Sequence, residues 1–365
     1  MNAFRYRDRS LVNKVAKSIR EMNLNVLIMH VCGTHQDTFA RYGLDNLLKE
    51  CGVEVRQGPG CPVCVTTPRE IEEAIVLAKA GKTVVSFGDM VRVPGKNGSL
   101  LDARAEGRDV RIVYSIEDAI AIAKETENDV VFLAVGFETT APSTAATLVA
   151  EPPENFSVLT CHRRIPPVLD ALLGMGETKI DGIIDPGHVS TIIGVKPYEE
   201  ISKKHNIPQV IAGFEPLDVM MGVYMLCRQI SRGEAKVENE YSRSVRYGGN
   251  SKALKLMREV FDPVDVEWRG FPKIPASGME LRRRFQDYDA RKIHEDELEA
   301  VKEMEFSTPP GCRCDEVLRG LIRPQKCPLF GRGCYPSHPV GPCMVSIEGA
   351  CSIEYKYGRR MAPRV

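Results

Sequence analysis

The stretch DVVFLAVGFETTAP, residues 129–142, predicts a buried strand that leads directly into a helix. Its first half is apolar and rich in β-branched residues, which is typical of a strand covered on both faces. Thr139 and Thr140 follow at the point where a helix needs an N-cap. A strand followed at once by a helix indicates a parallel sheet flanked by helices.

The same alternation extends from about residue 25 to about residue 232. The other apolar runs are NVLIMHV, TVVSFGD, VRIVYS, FSVLTC, DGIIDPG and QVIAGF. Between them, TPREIEEAIVLAKAG has the pattern of a capped helix, with Thr67 as N-cap, Pro68 at the first position and Glu70 closing a capping box. We therefore expect an α/β protein with two Rossmann-like parallel-sheet domains, at 24–127 and 128–233.

The remaining chain, 234–365, has a different composition. It is polar at first, then rich in Pro and Gly, and it ends in a segment with little periodicity and six cysteines. Such a segment lacks the apolar residues for a core of its own and is typically stabilised by a metal. We expect a third, cysteine-rich domain at 234–365.

Charge and hydropathy exclude several classes of protein. Lys and Arg number 49, as do Asp and Glu, so no net charge attracts nucleic acid or an anionic membrane. No apolar run is long enough to cross a membrane, and the N-terminus lacks the apolar core of a signal peptide. We expect a cytoplasmic protein. Because that compartment disfavours permanent disulfides, the twelve cysteines indicate metal or redox chemistry.

Polar side chains follow most of the predicted strands. Examples are Cys32, His35, Glu138, His162 and His188. In open parallel sheets ligands bind outside the carboxyl ends of the strands, so we expect these groups to converge, across a cleft between the domains. Taken singly, such residues are also common as helix caps, turn formers or structural histidines.

Cys32 is a candidate nucleophile or metal ligand. It ends a predicted strand and precedes a helix that begins near Thr34, with His35 close by. Helix N-terminal amides and a neighbouring imidazole both favour the thiolate, so we expect a lowered thiol pKa. A thiolate would suit a soft, low-valent metal.

Cys61 and Cys64 form a C-x-x-C pair in QGPGCPVCVTTPRE, residues 57–70. Half a zinc site would need two further ligands nearby, and Cys51 is ten residues back with no histidine following closely. A position before a capped helix instead favours a redox dithiol. A shared metal site and a purely structural role remain alternatives.

The C-terminal segment carries the clearest metal signal. Its cysteines are Cys312, Cys314, Cys327, Cys334, Cys343 and Cys351. Four thiolates with loose spacing suit an iron–sulfur cluster or zinc, although the absence of two C-x-x-C knuckles disfavours a standard zinc ribbon. Spacing alone does not say which four bind.

The motifs CGTHQDT, GPGCPVCVTT, VGFETTAP, PGHVS and GFEPLD, followed by a cysteine-rich end, closely resemble the HypD family of [NiFe]-hydrogenase maturation proteins. The resemblance covers essentially the whole chain. It implies a [4Fe-4S] cluster on Cys312, Cys327, Cys334 and Cys351, whose intervals match the family's, with Cys314 and Cys343 as bystanders. It also implies that the N-terminal segment 1–23 packs with the C-terminal iron–sulfur domain.

The resemblance further implies an assembly scaffold with a redox role rather than a turnover enzyme. Such a protein, monomeric until complexed, works with HypC to hold iron while CO and two cyanides from HypE, which acts after HypF, are attached to form Fe(CN)2CO. Cys32 matches the family's iron ligand, and His35 and Glu138 match its cleft residues. Gln36 stands where the family has Glu, which removes a negative charge.

Two other functions fit the same cysteines. One is an iron–sulfur thiol–disulfide reductase that acts on a separate substrate, in which Cys32 holds no metal. The other is a zinc-stapled binding module without a redox role.

Overall fold

The structure is a computed structural model that describes residues 6–177 and 179–358. Its strands are β1 (Val26–His30), β2 (Val53–Gln57), β3 (Thr83–Ser86), β4 (Val110–Ile112), β5 (Val130–Gly136), β6 (Phe156–His162), β7 (Gly182–Pro186), β8 (Gln209–Ala212), β9 (Val237–Asn239), β10 (Phe261–Glu267) and β11 (Lys273–Leu281). Nine of them form two parallel sheets, and β10 and β11 form an antiparallel hairpin. Two Rossmann-like parallel sheets confirm the predicted α/β class.

Helices connect and cover the strands. In chain order they are α1 (Arg9–Glu21), α2 (Gly33–Tyr42), α3 (Leu44–Lys49), α4 (Pro62–Val65), α5 (Pro68–Lys79), α6 (Leu100–Ala105), α7 (Ile116–Glu125), α8 (Ala141–Val149), α9 (Ile165–Met175), α10 (Gly187–Ile193), α11 (Lys196–His205), α12 (Pro216–Ser231), α13 (Ser251–Val260), α14 (Ala290–Ile293), α15 (Glu295–Lys302), α16 (Cys314–Leu318), α17 (Pro342–Val345) and α18 (Ala350–Gly358). Throughout the part of the chain that the structure describes, no helix is both long enough and apolar enough to cross a membrane.

Strand pairing does not follow the division expected at 127/128. The four-stranded sheet has the order β4-β3-β5-β6, so it lies on both sides of that boundary. The five-stranded sheet has the order β2-β1-β7-β8-β9. In the sequence, all four strands of the other sheet lie between its strands β2 and β7. The reason is that β1 pairs with β7, as Ile28 with Gly182, while β3 pairs with β5, as Thr83 with Val130.

The boundary expected at 233/234 also differs from the structure. Strand β9 lies beyond it and completes the edge of the five-stranded sheet. The hairpin then packs on the four-stranded sheet, where Phe261 and Met279 share a core with Phe132. The cysteine-rich region is therefore confined to the residues after α15, and it packs through α17 on α4 and through α18 on α2.

The N-terminal helix packs on the five-stranded sheet, not on the cysteine-rich region. Helix α1 buries Val12, Ala16 and Ile19, which share a core with Val219 and Val223 of α12. This spacing places the apolar side chains on one stripe of α1, which is buried best against another apolar helix face. The expected packing of 1–23 with the C-terminal domain is therefore wrong for α1, although Tyr6 stacks on Arg243, at 4.4 Å, within 234–365.

The predicted capping box is present. The amide of Thr67 donates to Glu70 Oε2 at 2.9 Å, and the amide of Glu70 donates to Thr67 Oγ1 at 3.3 Å. Thr140 is the N-cap of α8, but its hydroxyl donates to the Phe137 carbonyl at 3.4 Å and does not cap the helix amides. Every residue of β5 and β6 is buried, as the continuous apolar pattern predicted.

Candidate metal centre

A cavity of about 300 Å³ lies between the two sheets, at the carboxyl ends of their strands. Its polar lining residues are Cys32 after β1, Thr139 after β5, His188 and Thr191 on α10 after β7, and Glu348 from the cysteine-rich region. Apolar side chains such as Phe137 complete the wall. The structure thus brings several of the predicted strand-end residues together in one cleft, as parallel topology requires.

The Cys32 sulfur is a buried thiol at this cavity. Burial, together with the charge of Glu348, raises the pKa of Cys32 to about 11. The nearby amides of Thr34 and His35 lower the pKa of the thiol, as the sequence predicted, but burial outweighs them. The prediction of a lowered pKa is therefore wrong, and metal binding must release a proton.

Two glycines of the sequence motifs allow the loops around Cys32 to approach each other. A Cβ on Gly33 would lie 2.4 Å from Glu348 Cβ, and one on Gly60 would lie 2.1 Å from the Val31 carbonyl carbon. The Gly33 amide also donates to the Gly60 carbonyl at 3.3 Å. Glycine at both positions permits this close contact between chain segments.

His35 supports the site without lining the cavity. Its Nε2 lies 2.9 Å from the Gly213 carbonyl oxygen and 3.2 Å from that of Ala212, so this nitrogen carries the proton. Burial lowers its pKa to about 4. Its ring stacks on Phe214, which in turn stacks on His188 with ring centroids 3.8 Å apart. His35 therefore helps position His188.

Gln36 lies behind the cavity wall. Its Oε1 accepts from His30 Nε2 at 2.8 Å, and its Nε2 donates to Glu354 Oε1 at 3.0 Å. Burial lowers the pKa of His30 to about 3, so this ring is neutral. Gln36 therefore connects the neutral His30 ring to the Glu354 carboxyl group.

Glu138 is not brought to Cys32. It faces a second cavity, of about 410 Å³, while its neighbours Phe137 and Thr139 face the first. The Ile165 amide donates to Glu138 Oε1 at 3.1 Å, and burial raises the pKa of the carboxyl to about 7. Its expected place in the same cleft is not what the structure shows, because alternate residues after β5 point in different directions.

Cys61 and Cys64 form a disulfide on α4, and both are fully buried. The neighbouring Gly60 and Pro62 line the Cys32 cavity. On its other side α4 packs against α17, which carries Cys343. The disulfide therefore lies between the Cys32 cavity and the cysteine-rich region.

All six C-terminal cysteines line one small cavity. They are Cys312, Cys314, Cys327, Cys334, Cys343 and Cys351, and the cavity's apolar lining includes Leu329, Phe330 and Met344. The sulfurs of Cys314 and Cys343 lie 2.9 Å apart, so these two residues belong to the same sulfur-rich site. Within residues 6–177 and 179–358, no three His, Cys, Asp or Glu side chains are arranged to hold a single ion. The cysteines surround a shared space, as a multinuclear cluster with one thiolate per iron requires.

Sequence reasoning did not identify Glu348 or Arg269. Glu348 follows no strand, and its place opposite Cys32 depends on how the cysteine-rich region packs. Arg269 is a single arginine in the loop between β10 and β11, where no motif distinguishes it. The contact between Cys314 and Cys343 has one indication in the sequence: six cysteines are present where a cluster needs four.

Comparison with known proteins identifies the family of this chain. The HypD family model, described as the hydrogenase formation HypA family, matches residues 8–358. A hydrogenase expression/formation protein of Methanocaldococcus jannaschii is 49% identical over 352 residues, 95% of each chain. The hydrogenase maturation factor HypD of Rhizobium leguminosarum bv. viciae is 43% identical over 97% of this chain and 94% of its own. HypD2 of Bradyrhizobium diazoefficiens is 42% identical over 97% and 96%. This chain therefore belongs to the HypD family of hydrogenase maturation factors.

Proposed function

We propose that this chain is a scaffold on which, together with HypC, iron receives CO and the two cyanides delivered by HypE. The observation that carries the proposal is Cys32, a cysteine sulfur at a cavity of about 300 Å³ between two sheets. That volume equals the share of roughly ten water molecules, which is room for an iron with small diatomic ligands. Iron is here the substrate of the scaffold, not its resident cofactor.

The cavity is incomplete as an iron site. Among the described residues that line it, Cys32 is the one cysteine, and His188 is the one histidine. Low-spin Fe(II) with strong-field ligands favours soft sulfur donors, so a second thiolate must come from another chain. This need supports a cysteine of HypC as the partner ligand. Loss of the Cys32 proton must accompany binding, because burial keeps the free thiol protonated.

The sulfur-rich cavity presents the cysteine donors that a [4Fe-4S] cluster requires. Four of its cysteines, Cys312, Cys327, Cys334 and Cys351, would hold the cluster, and the apolar side chains around them exclude water. When bound, such a cluster accepts and passes on single electrons. Cys314 and Cys343 lie at the same cavity, and α17, which carries Cys343, packs against α4.

The disulfide and dithiol states of Cys61 and Cys64 supply the redox step. When a carrier thiocyanate meets the dithiol, its S–C bond breaks and the Cys61–Cys64 S–S bond forms. Cyanide leaves with the bonding electron pair; one thiol proton goes to the carrier sulfur and the other to solvent. Renewed reduction of the disulfide takes two electrons and two protons. An external low-potential iron–sulfur protein would be the electron donor, and a cluster held by Cys312, Cys327, Cys334 and Cys351 would supply one-electron transfer for this reduction.

Burial of the disulfide favours this role over that of a general thiol–disulfide reductase. Cys61 and Cys64 are both 0% exposed, so a disulfide on a separate folded protein cannot reach them. A small carrier group that enters the neighbouring cavity can approach from Gly60 and Pro62.

Infrared spectroscopy of the complex with HypC tests the proposal. Anaerobically copurified complex should contain iron and show CO and cyanide bands. Cys32→Ala should lose these bands, whereas Cys227→Ala, which removes a buried thiol from a different core, should keep them. Bands that persist in Cys32→Ala would contradict the scaffold role.

A further inference from the structure

The loop between β10 and β11 holds a buried arginine with an unused hydrogen-bond donor. Arg269 is 8% exposed. Its backbone N–H donates to the Val65 carbonyl at 2.9 Å, and its Nε donates to the Thr66 carbonyl at 3.0 Å. Its Nη2 is buried and has no hydrogen-bond partner among the residues that the structure describes. A buried guanidinium N–H without an acceptor is costly, so this group requires an explanation.

The sulfur-rich cavity provides one. Arg269 precedes Gly270, which packs directly on Asp315, the residue after Cys314 on α16. Burial lowers the pKa of the Arg269 guanidinium, and thiolates at Cys314 and Cys343 would oppose that lowering most strongly. Asp315 acts on it less than these two, and its Oδ2 accepts from Thr308 Oγ1 while its Oδ1 has no hydrogen-bond partner. The guanidinium is thus a permanent cation beside the cysteines, and it is not held by a carboxylate.

The loop is packed so that Arg269 cannot swing away. Trp268 is buried, donates from Nε1 to Ser277 Oγ at 2.9 Å, and stacks on Phe137. On the other side Gly270 has a φ of +81°, and a Cβ there would lie 2.8 Å from Asp315 Cα. These contacts hold the loop between α4 and α16, with the arginine enclosed.

We propose that Arg269 is a positioning residue that sets the reduction potential of the cluster in the sulfur-rich cavity, by directing its Nη2 N–H at the cluster's sulfur atoms. The inference rests on the proposed function. Addition of an electron increases the negative charge of the cluster, and a buried cation favours that state far more than an exposed one would. Hydrogen bonds to sulfur and net charge are the main determinants of cluster potentials. The bonds to Val65 and Thr66 also fix the turn that carries Cys64.

A redox titration of the anaerobically purified full-length protein, followed by electron paramagnetic resonance of the reduced cluster, tests this. Arg269→Gln should lower the equilibrium constant for reduction at least tenfold, which is 59 mV for a one-electron couple. Arg269→Lys keeps the charge but loses the planar array of donors, so its equilibrium constant for reduction should lie between those of wild type and Arg269→Gln. Arg313→Gln is the matched control, because Arg313 also lies near the cavity but is 41% exposed and paired with Glu316. The equilibrium constant for reduction in this control should stay within twofold of the wild-type value.

Each outcome of these measurements either supports or overturns the inference. If the equilibrium constant for reduction in Arg269→Gln stays within twofold of the wild-type value, the inference is overturned and the scaffold function is left intact. A wild-type protein that binds iron but forms no iron–sulfur cluster would overturn the proposed redox function, and the inference with it. If Arg269→Gln does not fold, resonance Raman spectroscopy of Arg269→Lys provides the test. The Fe–S stretching bands of the wild-type protein should shift in D2O. The same shift in the lysine variant would overturn the proposed hydrogen bond.

Discussion

Phe137 stacks on Trp268, with ring centroids 5.8 Å apart and an interplanar angle of 18°. Phe137 lines the Cys32 cavity, and Trp268 precedes the arginine beside the sulfur-rich cavity. One aromatic pair therefore connects the wall of the Cys32 cavity to the loop that carries Arg269. Stacked, offset rings stabilise each other beyond the area that they bury, so we expect this contact to hold the two sites in register.

Truncation at Phe137 tests that contact. Phe137→Ala should lower the free energy of unfolding by about 3 kcal/mol, because the side chain is buried and its loss leaves a cavity. Tyr114→Ala is the control, since Tyr114 is 92% exposed, and should change stability by less than about 0.5 kcal/mol. Urea denaturation measures both. Equal losses would contradict the central role of the pair.

A methyl group at Gly33 should disturb the Cys32 cavity. Its Cβ would lie 2.4 Å from Glu348 Cβ and 2.6 Å from the Glu348 carbonyl oxygen, so Gly33→Ala should displace Glu348 and cost roughly 2 kcal/mol. Gly174→Ala is the matched control, because nothing lies within 4 Å of a Cβ there. That helical position should instead gain up to about 1 kcal/mol. Thermal denaturation distinguishes a loss from a gain, and a gain at both positions would refute the tight contact.

The six cysteines at the sulfur-rich cavity should fall into two groups. Cys312→Ala should lose most of the bound iron and sulfide, because that residue is one of the four proposed ligands. Cys314→Ala should retain the cluster, since its sulfur lies 2.9 Å from that of Cys343, but should slow reduction of the Cys61–Cys64 disulfide. Iron and sulfide analysis, with mass spectrometry of alkylated thiols after dithionite treatment, measures both effects. Cluster loss in Cys314→Ala would contradict this ligand assignment.

Glu138 should make stability depend on pH. Burial raises its pKa from 4.5 to about 7 in the folded protein, so between these values the folded state holds a proton that the unfolded state has released. The resulting stability is complete below about pH 4.5 and is lost as pH rises through 7, by roughly 3 kcal/mol in total. Glu138→Gln cannot titrate, so wild type should lose stability relative to it over this range. Denaturation curves at several pH values measure the difference, and parallel curves would contradict the raised pKa.

Local pattern predicted local structure well. The Thr67 and Glu70 capping box, the buried strands and the meeting of Cys32 with His188 follow from interactions between residues close in sequence, or from a general property of parallel sheets. Division of the chain into consecutive domains failed, because the pairing of β1 with β7 depends on contacts between residues far apart in sequence. The same applies to α1, whose apolar stripe has more than one possible partner.

The sequence by itself determined the alternation of strands and helices, the family and the cysteines for which we propose chemical roles, because these depend on residue type and spacing. Only the tertiary structure decided which groups meet. It placed Glu348 opposite Cys32, turned Glu138 toward another cavity, and buried Cys32 deeply enough to raise its pKa. Desolvation and long-range packing are properties of the assembled fold, and no local pattern encodes them.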